Sequence, residues 1–258
     1  MKLGFLGTGA ITSAMVTGLE SAGDEQYSIR LTPRNAAVAA ELAARFQNVS
    51  VGSSNQEVVD ESEVVVIAVR PQIAQDVLTE LHFRAGQQVI SLVSGFPVRK
   101  VSALVAPAVR VTRAVPLPSA ARRLSPTATY PQDAVTMELF ASLGTAFAAD
   151  NEDKFDTFCT ATATMATYFA FADGVASWLS KHDIPPVQTR DYAARLFAGL
   201  ADTALEAPER SFRALAADHA TRGGTNEQVV TQLVGHGVFE QFSQALDAVM
   251  RRVTAASR

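Results

Sequence analysis

The chain has 258 residues, of which 48% are hydrophobic and 19% charged, which is enough apolar material for one large domain or two smaller ones. Its formal net charge of −4 argues against nucleic acid and anionic membrane surfaces as partners. The single cysteine, Cys159, excludes an internal disulfide bond. No apolar stretch reaches the roughly 18 residues of a membrane span. Together these two observations favour a cytoplasmic protein.

Short apolar runs alternate with helix-forming stretches over the first part of the chain. Strands are predicted at residues 3–6, 27–31, 49–51, 63–69, 88–93, 109–114, 128–130 and 145–148. Helices are predicted at residues 11–22, 36–46, 72–81, 98–105 and 136–143. Segment 63–69 (EVVVIAV) is apolar on both faces, as a central parallel strand is. This alternation predicts a Rossmann-type α/β domain with a doubly wound parallel sheet.

The remainder of the chain has no strand pattern and is predicted to be all-α. Alanine, leucine and phenylalanine recur there at helical spacing. Helices are predicted at residues 154–181, which a break can divide, and at 187–205, 212–219, 225–236 and 238–253. We therefore predict two domains, a dinucleotide-binding domain at residues 1–150 and a helical substrate and dimerisation domain at residues 151–258.

A glycine turn connects the first strand to the first helix. The pattern is G-x-G-x-x-T, in which Thr12 replaces the usual third glycine or alanine and implies looser helix–strand packing. Such a turn lets a pyrophosphate approach the backbone at a helix N-terminus, although an ordinary strand–helix turn also fits. The candidate cofactor contacts here are Gly7, Thr8, Gly9, Ala10 and Ile11.

The end of the second strand indicates which cofactor would bind. NAD-binding domains usually place an acidic residue there for the ribose 2′-hydroxyl, but this chain has Thr32, Arg34 and Asn35 and no acid. Arg34 suits a 2′-phosphate, which favours NADP, unless it is simply a solvated surface charge. Ala68, Val69, Arg70 and Pro71 follow the strand at 63–69 and are predicted at the same ligand-binding edge.

Five motifs occur in the order and spacing of one family: the G-x-G turn, V-R-P-Q at residues 69–72, S-L-V-S-G at 91–95, R-V with a later proline at 110–116, and G-G-T at 223–225. The sequence resembles the pyrroline-5-carboxylate reductase family, which has V-K-P-Q, I-S-x-x-A-G-I, R-V-M-P-N-T-P and S-P-G-G-T-T at these places. The resemblance covers nearly the whole chain. It implies a Rossmann domain, a helical domain that forms a homodimer, and reduction of a cyclic imine to proline by NADPH or NADH.

The substrate half departs from that family. Its P-N-T-P becomes residues 113–116 (RAVP), its G-S-G-P-A-Y becomes 163–168 (ATMATY), and its S-S-P-G-G-x-T becomes 220–226 (ATRGGTN). We expect Arg113 and Met165 to crowd the pocket. The substrate is therefore predicted to be a small anionic imine or carbonyl compound that bears a carboxylate, rather than pyrroline-5-carboxylate itself.

The resemblance also supplies candidate substrate-side residues. Gly223, Gly224 and Thr225 would bind a carboxylate through backbone N–H groups at a helix start. Thr225, Asn226 and Tyr168 are the candidate catalytic residues, which would orient the imine or relay a proton; each equally fits a cap or a satisfied core polar group. Thr225 is also predicted as the helix N-cap, with Gln228 completing a capping box.

Two other functions compete with the reductase. A β-hydroxyacid dehydrogenase shares this domain arrangement but needs a lysine on a long helix, and the chain's lysines (Lys2, Lys100, Lys154 and Lys181) have no following asparagine motif. A non-catalytic NADP-binding protein would also keep the cofactor motifs and lose the substrate motifs. The four histidines show no metal-ligand spacing, so no metal is expected.

Overall fold

The computed structural model describes residues 1–21, 26–108 and 110–256, the side chain of residue 256 excepted. Ala22 of the first predicted helix and Val109 of the sixth predicted strand lie outside the described residues. The chain divides into two compact units, one made of Met1–Cys159 with the chain from Met250 onward, the other of Thr160–Val249. The predicted domain boundary after residue 150 stays a prediction.

Up to residue 161, the described part of the chain forms eight strands and seven α-helices. The strands are β1 (Lys2–Leu6), β2 (Ser28–Leu31), β3 (Val49–Val51), β4 (Val64–Ile67), β5 (Gln88–Ser91), β6 (Arg110–Val115), β7 (Ser125–Tyr130) and β8 (Gly144–Ala148). The helices are α1 (Ala10–Glu20), α2 (Ala36–Arg45), α3 (Asn55–Asp60), α4 (Pro71–Thr79), α5 (Val98–Leu104), α6 (Ala134–Ala141) and α7 (Glu152–Ala161).

The strands form one sheet in the order β3-β2-β1-β4-β5-β6-β7-β8. From β3 to β6 every neighbouring pair is parallel, which confirms the Rossmann-type prediction. The chain therefore leaves all of these strands at one edge, the carboxyl edge. Strand order reverses between β1 and β4, and the crevice at such a reversal is where open α/β sheets bind ligands.

Strand β7 is the exception to the parallel pattern. It pairs antiparallel with β6 and parallel with β8. A short 3₁₀ helix (Pro118–Arg122), which was not predicted, occupies most of the segment between β6 and β7. That segment is too short for the crossover that a parallel neighbour requires, so the chain must return antiparallel.

The core lies on both faces of the sheet. Val64 and Val66 of β4 belong to one apolar cluster with α1 and α6, while Val65 and Ile67 belong to a second with α3, α4 and α5. All four are buried, which explains why this strand has no polar residues.

The rest of the chain is helical, as predicted. Its helices are α8 (Thr164–Ser180), α9 (Pro186–Glu206), α10 (Phe212–His219), α11 (Thr225–Gly235) and α12 (Val238–Ala256). The predicted helix at 154–181 is divided between α7 and α8. The Thr164 hydroxyl donates to the Ala161 carbonyl oxygen over 2.8 Å at this break, a local bond that competes with helical pairing.

The helices of the second unit are unusually exposed. Within the described chain, α8, α10 and α11 have no buried residue, and α9 buries only Thr189 and Ala193. Large apolar side chains face solvent, among them Phe169, Trp178 and Phe212, which are 69%, 59% and 81% exposed. Apolar surface on this scale is typical of an interaction face. None of the described helices has the length and apolar character needed to cross a bilayer.

Candidate active site

The glycine turn lies between β1 and α1 at the carboxyl edge of the sheet. Gly7 has a φ of +101°, and a Cβ atom there would lie 2.7 Å from the carbonyl oxygen of Ala68, so the position requires glycine. Gly9 has no heavy atom within 4 Å of where its Cβ would be, and it is the N-cap of α1 without a side-chain cap from any described residue. The first turn of α1 therefore presents its N–H groups on an open side, which suits an anion.

Three almost fully buried threonines hold this turn in place. The Thr12 hydroxyl donates to the Gly7 carbonyl oxygen over 2.7 Å, which ties the start of α1 to the turn. The Thr32 hydroxyl accepts the Gly7 N–H at 2.9 Å, and the Thr32 carbonyl oxygen accepts the Thr8 hydroxyl at 2.8 Å. Thr32, predicted as a cofactor contact, thus lies beneath the turn and positions it.

A cleft of about 640 Å³ opens beside the turn. It is lined by residues 7–9, 34–35, 68–70 and 72–73. The structure therefore brings together three separate segments that the sequence had marked as cofactor-binding: the turn, the end of β2 and the V-R-P-Q segment. This cleft is the candidate cofactor site.

Two arginines give the cleft its charge. Arg34 and Arg70 are exposed, and neither forms an ion pair with a described residue. Asn35 ties the loop after β2 to the turn, because its Nδ2 donates to the Thr8 carbonyl oxygen over 3.0 Å. Unpaired guanidinium groups beside a helix N-terminus suit phosphate groups.

The lining differs from the prediction at a few positions. Gln72 and Ile73, in the first turn of α4, line the cleft but were not predicted as site residues, although Gln72 belongs to the V-R-P-Q motif. The predicted contacts Ala10 and Ile11 open α1, and Pro71 opens α4; the structure places all three outside the lining.

Tyr168 lies on α8 in the second unit and is half exposed. Its ring makes edge-on contacts with Phe169 and Phe197, at centroid distances of 5.2 and 5.9 Å. It lines a groove of about 580 Å³ between α8 and α9, together with the polar side chains of Thr189 and Arg190. The tyrosine is therefore neither a cap nor a buried polar group.

The glycine pair Gly223 and Gly224 precedes α11. Contrary to the prediction, neither of its N–H groups is free. The Gly223 N–H donates to a Glu227 carboxylate oxygen over 2.6 Å, and the Gly224 N–H donates to the Thr221 carbonyl oxygen over 2.8 Å. Gly224, not Thr225, is the N-cap, so the predicted capping box is wrong. Thr225 is the first helical residue, and Glu227 rather than Gln228 reaches back across the helix start.

Asn226 already has a partner. Its Nδ2 donates to the carbonyl oxygen of His219 over 3.0 Å, which joins the end of α10 to the start of α11. The His219 ring nitrogen Nδ1 in turn lies 2.8 Å from the Leu215 carbonyl oxygen. Asn226 therefore positions the turn that carries the glycine pair.

Arg113 is buried in an ion-pair cluster, which we call the Arg113 cluster: Arg113, Glu152, Phe155 and Asp156. Its Nη1 lies 2.8 Å from Glu152 Oε1, its Nη2 lies 3.1 Å from Asp156 Oδ1, and its guanidinium carbon lies 4.4 Å from the Phe155 ring centroid. The side chain is only 3% exposed. The expectation that Arg113 crowds a substrate pocket is therefore wrong, because its charge is held by α7.

The structure also places the single cysteine and the side chains that could bind a metal. Burial raises the pKa of the Cys159 thiol to about 12. Among the described residues, no group of three or more His, Cys, Asp or Glu side chains is placed to hold a metal ion.

Two family models match the chain. One, described as NADP oxidoreductase coenzyme F420-dependent, matches residues 2–95, and the other, described as pyrroline-5-carboxylate reductase dimerisation, matches residues 152–256. The pyrroline-5-carboxylate reductase of Pseudomonas aeruginosa is 25% identical over 65% of this chain, and the match spans 64% of that relative, slightly under two thirds of its length. The one from Vibrio alginolyticus is 22% identical over 97% of this chain and 96% of its own length. The chain is therefore similar to pyrroline-5-carboxylate reductases over nearly its whole length, and its helical part matches their dimerisation model.

Solved structures of the family share the fold. The 1-pyrroline-5-carboxylate reductase of Streptococcus pyogenes superposes with a TM-score of 0.85 at 23% identity, over 100% of this chain and 98% of that one. The Plasmodium falciparum pyrroline carboxylate reductase, with NADP bound, gives 0.83 at 17% identity over the same shares. The predicted fold class, a Rossmann-type half and an all-α half, is confirmed.

Proposed function

We propose that this protein is an NADP-dependent reductase that transfers a hydride to the C=N carbon of a small carboxylate-bearing imine. The observation that carries the proposal is the cleft at the carboxyl edge, where the glycine turn meets exposed Arg34 and the described loop at residues 32–35 has no carboxylate. The names of the relatives support the same chemistry, and one similar structure holds NADP.

The residues of the cleft fit NADP. The open backbone at Gly9 and the first turn of α1 would take the pyrophosphate, and Arg34 would hold the 2′-phosphate. An acidic side chain, which would repel that phosphate, is missing from the described loop at residues 32–35. When bound, the nicotinamide supplies the hydride, so the protein's task is to hold the imine carbon and exclude water.

The start of α11 is the proposed carboxylate site. With the N–H groups of Gly223 and Gly224 already bonded, the first-turn N–H groups of Thr225 and Asn226 and the exposed Arg222 are the groups that would receive a substrate carboxylate. Glu227 competes for this end of the helix because its own carboxylate reaches back to Gly223. Tyr168 and Thr225 remain the candidates for orienting the imine nitrogen or relaying its proton.

We also propose that the protein is a homodimer joined through its helical half. The match to a pyrroline-5-carboxylate reductase dimerisation model and the exposed aromatic side chains of α8 and α10 both support this assembly. A reducing, cytoplasmic location remains part of the proposal, since it rests on the single cysteine.

The test is steady-state oxidation of NADPH, without coenzyme F420, on pyrroline-5-carboxylate, larger and acyclic carboxylate imines, and 1-pyrroline, which lacks the carboxylate. We expect turnover that depends on the carboxylate, with kcat/KM for 1-pyrroline lower by about tenfold or more. Pyrroline-5-carboxylate is expected to be a poor substrate, because Met165 and the loss of the family asparagine still alter the substrate half.

Two outcomes would change the proposal. NADPH binding without oxidation by any imine would favour the non-catalytic NADP-binding protein. Proline formation on the order of 10 per second or more would show that pyrroline-5-carboxylate is the true substrate and that the altered residues leave the family chemistry intact.

A further inference from the structure

A second concavity lies at the opposite edge of the sheet from the cofactor cleft. We call it the amino-edge cavity; it has a volume of about 460 Å³, within the range of small-molecule sites. Glu63 precedes β4, and Gln88 and Arg110 are the first residues of β5 and β6. Because parallel strands rise about 3.3 Å per residue, the length of β4 alone separates this cavity from the cofactor cleft by roughly 10 Å.

The cavity contains a buried amide with one unused acceptor. Gln88 is fully buried, and its Nε2 donates to Asp133 Oδ1 and, over 2.9 Å, to Thr136 Oγ1. These two acceptors fix the orientation of the amide. The other atom, Gln88 Oε1, has no hydrogen-bond partner in the described structure. A buried amide oxygen without a donor is costly, so a ligand that supplies an N–H would relieve that cost.

The register of β4, β5 and β6 places Gln88 on the same face of the sheet as two other residues that line the cavity, Val64 and Arg110. Gln88 is in register with Arg110 in the parallel β5–β6 pair, so both side chains lie on the same face of the sheet. Val64 and Val135, which also line the cavity, belong to or pack against the apolar cluster on that face. The lining of the cavity thus combines apolar side chains, a buried glutamine and an exposed arginine.

Arg110 supplies the charge that a ligand would meet. It is exposed and forms no ion pair within 4 Å of any described residue. Arg84, the other arginine of the cavity, already donates to the Asp60 and Ser62 carbonyl oxygens over 2.6 and 2.9 Å. The Glu63 carboxylate accepts the Lys2 N–H over 2.9 Å. The N-terminal ammonium of Met1, which also lines the cavity, donates to the Gln26 carbonyl oxygen over 2.6 Å. Arg110 is therefore the guanidinium of the lining that has neither an ion pair nor a hydrogen bond to a described residue.

Asp133 adds an ionised carboxylate beside the amide and interacts electrostatically with Arg110. Although burial opposes its ionisation, hydrogen bonds from the Thr136 N–H, Gln88 and the Thr136 hydroxyl, with Arg110 nearby, hold the pKa of Asp133 below its usual value. The ionised carboxylate is satisfied by those donors and keeps the Gln88 amide oriented.

We propose that the amino-edge cavity binds a small α-amino acid as a zwitterion, with an N–H donated to Gln88 Oε1 and the carboxylate held by Arg110. An α-amino acid carries an ammonium group and a carboxylate a few bonds apart. The ammonium group would donate to the Gln88 amide oxygen on β5, and the carboxylate would pair with Arg110 on the adjacent strand β6. This site is separate from the proposed reductase site and stands whether or not the protein reduces imines.

The experiment is a methyl NMR titration of the full-length, valine-labelled protein with L-proline, whose rigid ring limits the entropy lost on binding. Val64 and Val135 report on the amino-edge cavity, and Val69 reports on the cofactor cleft. We expect saturable shifts at Val64 and Val135. N,N-Dimethyl-L-proline, which has no N–H, and L-prolinamide, which has no carboxylate, are each expected to bind about tenfold more weakly or worse.

Arg110→Gln is the site variant, and Arg122→Gln, another exposed arginine, is its control. Arg110→Gln should weaken L-proline binding by about tenfold or more, while the control should bind as the parent does. The proposal is overturned if Val64 and Val135 do not shift, if only Val69 shifts, if the three probes bind equally, or if Arg110→Gln has no effect.

Discussion

Replacing Arg113 with methionine would test whether the Arg113 cluster stabilises the first unit. The variant keeps most of the side-chain volume but leaves the carboxylates of Glu152 and Asp156 without their cation. The Asp156 side chain is 4% exposed and that of Glu152 is 28% exposed, so water can offset little of the loss at Asp156. Removing one partner of a buried ion pair costs about 3–5 kcal/mol, a large part of the roughly 5–15 kcal/mol that stabilises a domain.

The assay is urea unfolding followed by far-ultraviolet circular dichroism, at one protein concentration for every variant. The control is Lys154→Met, which breaks the mostly exposed Lys154–Asp150 pair near the start of α7 and should leave stability nearly unchanged.

A triple variant separates lost pairing from lost packing. Arg113→Met with Glu152→Gln and Asp156→Leu removes all three charges, and the glutamine keeps an acceptor for the Val98 N–H that Glu152 now receives over 2.8 Å. We expect this variant to recover to within about 1–2 kcal/mol of the parent, because apolar replacement of a buried ion pair is often nearly neutral. A loss below about 1 kcal/mol in Arg113→Met, or a triple variant as unstable as the single one, would refute the reasoning.

Three further predictions concern the cofactor, the thiol and the assembly. NADPH should bind about tenfold more tightly than NADH, worth about 1.4 kcal/mol, and Arg34→Ala should remove that margin; equal affinities of the parent protein in a fluorescence titration would contradict the assignment of Arg34. Because burial raises the pKa of the Cys159 thiol to about 12, it should resist alkylation by iodoacetamide at neutral pH in the native protein and react in denaturant; rapid native labelling would show that the thiol is accessible. Light scattering at micromolar concentration should give the mass of a dimer, and a monomer would count against the proposed assembly.

The sequence was sufficient to predict an element wherever a single local pattern of residues determines the structure. The uninterrupted apolar run of β4 identified the central strand, because a strand covered on both faces has no polar positions. Gly7 and Gly9 marked the turn, and the structure shows that Gly7 needs its positive φ. Helix α3 was not predicted, although the pattern Ser54-x-x-Glu57 is typical of a helix start. In the structure the Ser54 hydroxyl accepts the Glu57 N–H over 3.1 Å.

The prediction failed where a side chain's partner is distant in sequence or where the chain reverses. Arg113 appeared to be a pocket residue because Glu152 and Asp156 are far along the chain and only the fold brings them to it. Thr32 appeared to face the cofactor because its bond to Gly7 depends on the pairing of β1 with β2. The antiparallel direction of β7 follows from the short connection between β6 and β7. The predicted boundaries of these two strands did not give the length of that connection, so the direction was not predicted.

The open surface of the helical half has a consequence for how the chain reaches its native state. With only Thr189 and Ala193 buried across α8 to α11, this half gains little from hydrophobic burial within one chain. In the proposed homodimer, its folding is then a second-order reaction: a newly made chain completes this half only after it meets another. Its midpoint of denaturation should rise with protein concentration, and a chain that stays alone should expose Phe169, Trp178 and Phe212 to chaperones, proteases and aggregation.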